Sequence, residues 1–372
     1  MPLRVLQLTS SFPRRDGDVS GLFIRDLTSA LADAGVEVHV VAPHDAGAAR
    51  REVLDGVGVR RFRYAPDGLE VLAHRGGLLA AARSAARAPL IPAFVVAYAW
   101  SSWREARRVR PDVVHAHWWF PGGLVGVVTA RLTGRPLVVT VHGSDLHLAK
   151  SRALQPLARW VLRRASMIGT VSDALRSELL QLVDVEPWRI VVLRMPMVMV
   201  AVGDASEPPA PPPLRLVAVG RNTPEKGFDV LVRALDGIDA ELDVFGTGTE
   251  VLSAGRVRGH GASSRAEIAA ALSRAHALVV PSRREGLGIV ALEALAVGRP
   301  VIASAVGGLV ETVEDGVDGI LVPPDDAGSL ANALRELPLP PPRAAAVDRH
   351  RPEEVAARHL AAYEDAVNRR RR

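Results

Sequence analysis

The chain has no cysteine, which excludes disulfides, cysteine-ligated zinc and a thiol nucleophile, and makes a reducing compartment the expected setting. Lysine is almost as scarce. Lys150 and Lys226 are the only two among 46 basic residues, so the basic pool is nearly all arginine and is spread along the chain to Arg369-Arg-Arg-Arg372. A formal charge of +5 from such a dispersed pool, with no basic and aromatic cluster, argues against nucleic acid as a partner. Long apolar runs are missing too: the longest nearly uncharged stretch, 88–103, is short and broken by Pro89 and Pro92, so it does not span a bilayer. No signal-peptide pattern precedes the first expected strand at 3–9, and the expected location is cytoplasmic, at most at the inner face of the membrane. The first strand-to-helix turn lacks G-x-G-x-x-G spacing, which disfavours NAD.

What is present is 372 residues, 48% hydrophobic and 23% charged, enough for two domains with real cores. Apolar segments at 3–9, 36–42, 57–61, 113–115, 137–141 and 167–170 alternate with stretches of helical period, which predicts a parallel sheet covered on both faces. A stiff Pro-rich connector, Glu207-Pro-Pro-Ala-Pro-Pro-Pro213, separates this set from a second one beginning at Leu214. The predicted fold is therefore α/β with two Rossmann-like doubly wound domains, 1–195 and 214–345, a linker 196–213, and a closing segment 346–372 whose helix could travel back to the first domain.

The richest stretch is Pro281-Ser-Arg-Arg-Glu-Gly-Leu-Gly288 and the helix expected after it. Glu285 falls in a strand-to-helix turn, Gly286, Leu287 and Gly288 let the backbone approach a ligand, and free N–H groups of the first helical turn favour an anion. Glu293 is the only charge in an apolar helix and calls for a partner. Both carboxylates can face one crevice and accept from sugar hydroxyls; a capping carboxylate and a buried ion pair are the plainer reading. Upstream, Arg221 and Lys226 flank another glycine-bearing turn and suit a diphosphate, one by its fork and the other as a point charge. Val306-Gly-Gly308 is a second glycine-rich helix start.

In the first half, Gly21 opens a helix where N–H groups could meet a phosphate. His142 leaves the end of a strand, Gly143 allows close approach, and Asp145 can orient the imidazole, which could bond a sugar hydroxyl or accept a proton. His115 and His117 share a strand face; they line a crevice, pack in the core, or begin a zinc set that nothing nearby completes. Asp16-Gly-Asp18 has the D-x-D form of metal-dependent transferases but reads as loop chemistry. No residue is assigned as a metal ligand. The stretch 72–109, apolar and arginine-bearing with Trp100 and Trp103, packs on the sheet or lies on a membrane surface.

Taken in order, Ser11-Phe-Pro13 with Gly21, His115-Ala-His117, His142-Gly143, Gly220-Arg221, Glu225-Lys-Gly227, Glu285-Gly286 with Glu293, and Gly307-Gly308 resemble the retaining glycosyltransferases of family 4, which have the GT-B fold. The resemblance implies two domains facing across a cleft, acceptor side first and donor side second, and transfer of a hexose-type sugar from a nucleotide-diphosphate sugar to an acceptor hydroxyl with retention of configuration. It implies neither metal nor bound cofactor. By the same resemblance Arg221 and Lys226 hold the diphosphate, Glu285 the transferred sugar, Glu293 the ribose and His142 the C6 region of that sugar, with no residue serving as nucleophile. The acceptor, whether sugar, lipid-linked sugar or small molecule, is not read from sequence. A GT-B-shaped nucleotide-sugar epimerase and a non-catalytic nucleotide-sugar binder are the alternatives. Arg194-Met-Pro-Met-Val-Met199 replaces the family's usual Asn-Gly-Val-Asp, and Ser20-Gly21 its Gly-Gly.

Overall fold

A computed structural model describes residues 2–15, 17–73, 84, 87–198 and 210–371. It divides into two units, Met1–Pro196 with Pro352–Arg372, and Met197–Arg351. The sequence boundary at 346 thus moves to Pro352, where the last helix, Pro352–Arg371, begins and joins the first unit. Asp16, most of the linker (199–209) and the stretch 74–83 lie outside the described residues, and with them part of the D-x-D reading and of the expected helical segment 72–109.

The first unit carries an eight-stranded sheet in the order β3-β4-β2-β1-β5-β6-β7-β8. The strands are β1 (Arg4–Leu8), β2 (Glu37–Pro43), β3 (Arg51–Leu54), β4 (Val57–Phe62), β5 (Val113–His117), β6 (Leu137–Val141), β7 (Met167–Thr170) and β8 (Ile190–Val192). Pairing is parallel except between β3 and β4. Every residue of β5, β6 and β7 is buried, the pattern of central strands covered on both faces. Tyr363 in the final helix is fully buried and reaches His115.

The second unit holds a parallel six-stranded sheet in the order β11-β10-β9-β12-β13-β14. Its strands are β9 (Leu214–Val219), β10 (Ala240–Phe245), β11 (Val257–Gly261), β12 (Ala277–Val280), β13 (Val301–Ser304) and β14 (Gly319–Val322). Alternate residues feed opposite faces. Leu216 and Ala218 pack with Leu231 and Leu334, while Val217 packs with Ala291 and Leu295.

Both sheets reverse strand order beside their first strand. After β1 the chain adds β2 on one side and later β5 on the other; after β9 it adds β10 and later β12. At such a switch point the loops leaving the strands' C-terminal ends diverge and open a crevice suited to a ligand. Turns after β1, β5 and β6 carry Gly21, Trp118 and His142, and turns after β9, β12 and β13 carry Arg221, Glu285 and Gly307.

Candidate active site

In the second unit the turn after β9 and the turn after β12 meet through an ion pair. Lys226 Nζ donates to Glu285 Oε2 at 2.7 Å, with both side chains mostly but not wholly covered. Ser282 Oγ stands 3.4 Å from the same oxygen. The third turn closes over the backbone of Glu285. Gly308 N–H donates to the Glu285 carbonyl at 3.3 Å, and Thr312 Oγ1 to the Leu287 carbonyl at 3.2 Å. Gly307 has φ +51°, and a Cβ there would lie 1.8 Å from the Glu285 carbonyl oxygen, so only glycine lets these two turns interlock. Gly288 is left-handed as well, and it caps the helix Ile289–Ala296. Arg221 is exposed, one residue past Gly220, with no ion-pair partner among the described residues.

Glu293 does not join this pair as expected. Its carboxylate lies 3.9 Å from Arg265 Nε and lines a small pocket with Met197, Ile268 and Leu272. The reason is helical phase: Glu293 follows Gly288 by five residues and faces the helix Arg265–Leu272, so a cation supplied by that helix answers the isolated carboxylate.

In the first unit Asp145 organises the turn after β6. One carboxylate oxygen accepts the His142 backbone N–H at 2.8 Å and the other the Trp119 N–H at 3.0 Å. Asp145 thus orients the His142 backbone, not its ring. Burial pushes the Asp145 carboxyl up to about 6, opposed by these N–H groups. The His142 ring packs 4.8 Å from Trp118 and 5.4 Å from Phe23, and its Nε2 lies 3.1 Å from His117 Nδ1. Burial first, and the neighbouring His359 second, lower its pKa to about 3, so the ring is neutral at physiological pH. Gly21, at φ +69°, starts the helix Leu22–Asp33, and a Cβ there would lie 2.5 Å from the Ser11 carbonyl oxygen.

His115, His117 and Asp145, expected as crevice lining, are all buried: the two rings are 0% exposed and Asp145 4%. The two histidines sit beneath the rim because β5 is a central strand with no solvent-facing side, and Asp145, in the helix after β6, is turned inward onto the His142 and Trp119 N–H groups. Nor do the two histidines form a metal pair. His115 is bonded to Tyr363 and Thr140, each at 2.8 Å, and His117 to His142 and Gln7. Asp18 is held by Arg14 at 2.6 Å, which makes that half of the D-x-D a loop brace. Among the described residues one cluster has metal-ligand spacing, His44, Asp67 and Glu70, but both His44 nitrogens already face oxygens, of Glu70 at 2.6 Å and of the Ala48 carbonyl at 3.0 Å.

Residues 20–196 match the sequence profile of glycosyltransferase family 4, and residues 213–338 that of glycosyl transferases group 1. The D-inositol 3-phosphate glycosyltransferase of Actinosynnema mirum is 32% identical over 375 residues, covering 87% of this chain and 85% of that one. The chain belongs to glycosyltransferase family 4. The glycogen synthase of Mycobacterium tuberculosis is 32% identical to this glycosyltransferase over 255 residues, a match spanning 61% of the synthase and 62% of this chain. Among solved structures, sucrose-phosphate synthase from Thermosynechococcus elongatus superposes with a TM-score of 0.70 at 24% identity, covering 99% of this chain and 97% of that one. Anabaena HepE in complex with UDP-glucose gives 0.67 at 19% identity, with 99% of each chain covered. These likenesses show the GT-B fold of the glycosyltransferase.

Sequence reading missed Gln7, Trp118 and Ser282. Gln7 had a signal: it is the one polar residue inside the apolar run Val5-Leu-Gln-Leu8. Trp118 had none, since its φ of +62°, unusual for a bulky residue, appears only in the structure.

Proposed function

We propose that this glycosyltransferase moves a hexose-type sugar from a nucleotide-diphosphate sugar to an acceptor hydroxyl, with retention of anomeric configuration and without a metal ion. The observation that carries the donor reading is the Lys226–Glu285 pair on interlocked turns at the sheet's switch point. With no ligand, ammonium and carboxylate neutralise each other. A diphosphate would take up the Lys226 charge, with Arg221 exposed nearby in sequence to share it, and would leave Glu285 free to accept from sugar hydroxyls. Glu293 would meet the ribose by displacing its long contact to Arg265. The protein's part in the reaction is then to hold the donor and to stabilise charge on the departing diphosphate, while His142, neutral and at the end of β6, contacts the sugar.

HepE was solved with UDP-glucose and the Arabidopsis starch synthase IV with ADP and acarbose, which makes UDP- and ADP-sugars the first donors to try. The test incubates the protein and EDTA with a panel of nucleotide sugars and sugar or lipid acceptors, and reads the product anomer by NMR. A product of unchanged anomeric configuration supports the proposal. An inverted product, or a requirement for divalent metal, contradicts it, and an isomerised donor formed without acceptor points to epimerase chemistry.

The acceptor reading extends to a membrane. Among the described residues no helix is long and apolar enough to cross one. The helix Leu90–Val109, however, exposes Val96 and Trp100 beside Arg104 and Arg107, a face that suits an anionic bilayer at the inner leaflet and a lipid-linked acceptor there. Co-sedimentation with phosphatidylglycerol vesicles that is lost in Trp100→Asp supports this contact; equal recovery with neutral vesicles contradicts it.

A further inference from the structure

The buried polar groups under His142 form a chain with one direction. His142 Nε2 is 3.1 Å from His117 Nδ1, and His117 Nε2 is 3.2 Å from Gln7 Oε1. With the Gln7 amide turned so that its oxygen faces His117 and its NH2 the Tyr363 phenol, His117 carries its proton on Nε2, because an amide oxygen only accepts. His117 is also neutral: burial drives its pKa well below the ordinary value, and neighbouring His115 acts in the same sense. A neutral ring protonated on Nε2 has a bare lone pair on Nδ1. That lone pair can only accept, so the proton between the two rings belongs to His142 Nε2. His142, neutral as well, is left with its own bare lone pair on Nδ1. This atom has no hydrogen-bond partner among the described residues and is not among the polar atoms sealed in the interior.

Gln7 is costly where it stands. Its Nε2 is buried beside the Tyr363 phenol without a hydrogen bond of normal geometry, a burden that leucine or methionine would not carry in the same central strand. A function for its oxygen accounts for the amide being there. Trp118 and Phe23 flank the His142 ring, and Asp145 clamps its backbone, so the ring is held while the chain below sets its proton.

We propose that Gln7 and His117 are positioning residues that lock His142 in the Nε2–H tautomer, so that His142 meets its ligand as a hydrogen-bond acceptor through Nδ1 and selects a hydroxyl able to donate to it. The selection rests on the reading of His142 as a sugar-facing residue; the tautomer does not. A site with a fixed acceptor discriminates against a deoxy or O-alkylated analogue at that position, because the lone pair would be left unpaired.

The experiment is long-range 1H–15N correlation on full-length protein labelled with 15N-histidine, with the His142 signals identified by their loss in His142→Asn. Wild type is expected to show a pyrrole-type Nε2 and a pyridine-type Nδ1 for His142. In Gln7→Met both nitrogens should move toward the averaged shifts of a mixed tautomer, and Gln7→Glu, which only accepts when ionised, should restore the wild-type pattern at a pH where that carboxylate is ionised. A protonated Nδ1 in wild type overturns the proposal, as does an unchanged His142 in folded Gln7→Met. The wild-type spectrum alone fixes the polarity, so a variant that fails to fold does not shelter the idea. Turnover is not read, and the result therefore stands apart from any failure to find the donor.

Discussion

At the scale of single residues, the proposed donor site is economical: one ammonium and one carboxylate, each partly covered, whose mutual attraction is what a ligand would replace. Glu285→Gln keeps the shape and removes the charge. We expect kcat/KM to fall by about 10²–10³ with the fold intact, the range seen when one polar contact to a developing charge is lost. Steady-state kinetics with the nucleotide sugar that wild type consumes, alongside circular dichroism, check this; an unchanged rate would remove Glu285 from the site. The His142 side is legible only in part from sequence. A histidine leaving an apolar strand before glycine stands out in any reading, but its bond to His117 joins neighbouring strands 25 residues apart, and nothing in local spacing reveals the tautomer it imposes.

At the scale of elements, the turns matter more than the helices they start. Gly307→Ala puts a methyl group against the Glu285 carbonyl and a side chain at positive φ, so the turn bearing Glu285 has to move. We expect a loss of about 1–3 kcal/mol in the second unit, measured by denaturant unfolding, together with weaker donor binding. A variant with wild-type stability and binding would show that the interlock is dispensable. By contrast Ser264, which caps the helix Arg265–Leu272 in a reciprocal box with Glu267, is exposed. Ser264→Ala should cost about 1 kcal/mol in the same unfolding assay, and a change under a few tenths would contradict the cap's importance.

The central strands were readable because two-sided burial makes them continuous apolar runs: 137–141, 167–170 and 277–280 coincide with β6, β7 and β12. The edges were not. β3 reads Arg51-Glu-Val-Leu54 and β11 Val257-Arg-Gly-His-Gly261, half-exposed sequences whose charge and glycine hide their pairing. Glu285 and Lys226 were legible as types in turns, and their contact as an inference from the parallel order. The partner of Glu293 was not, because Arg265 comes from a different strand-helix unit 28 residues earlier.

At the scale of the whole molecule, three neutral histidines, His115, His117 and His359, are buried in the first unit together with Tyr363 of the final helix, and the partly buried His142 stands at the end of the same group. Burial is the leading cause that lowers each of their pKa values, to about 3 for His142 and about 4 for His359, while the unfolded chain takes up protons near 6.5. The unfolded state therefore binds more protons across that window, and stability is lost as pH falls from about 6.5. Asp145, raised from 3.8 to about 6, works in the opposite sense but is one group against four. We expect the melting temperature of the first unit to fall steadily below pH 6.5, most simply followed by calorimetry; a flat profile down to pH 4 would mean the histidines are not held neutral.

The proposed donor site is tested most directly by ligand-induced stabilisation of the full chain. A nucleoside diphosphate that binds only the folded state, at a hundredfold excess over its Kd, stabilises by about 2.7 kcal/mol. UDP or ADP should raise the melting temperature of wild type, and Lys226→Ala should melt at or near the wild-type value without ligand but lose that response. A Lys226→Ala protein that responds as strongly as wild type would contradict a diphosphate held at Lys226.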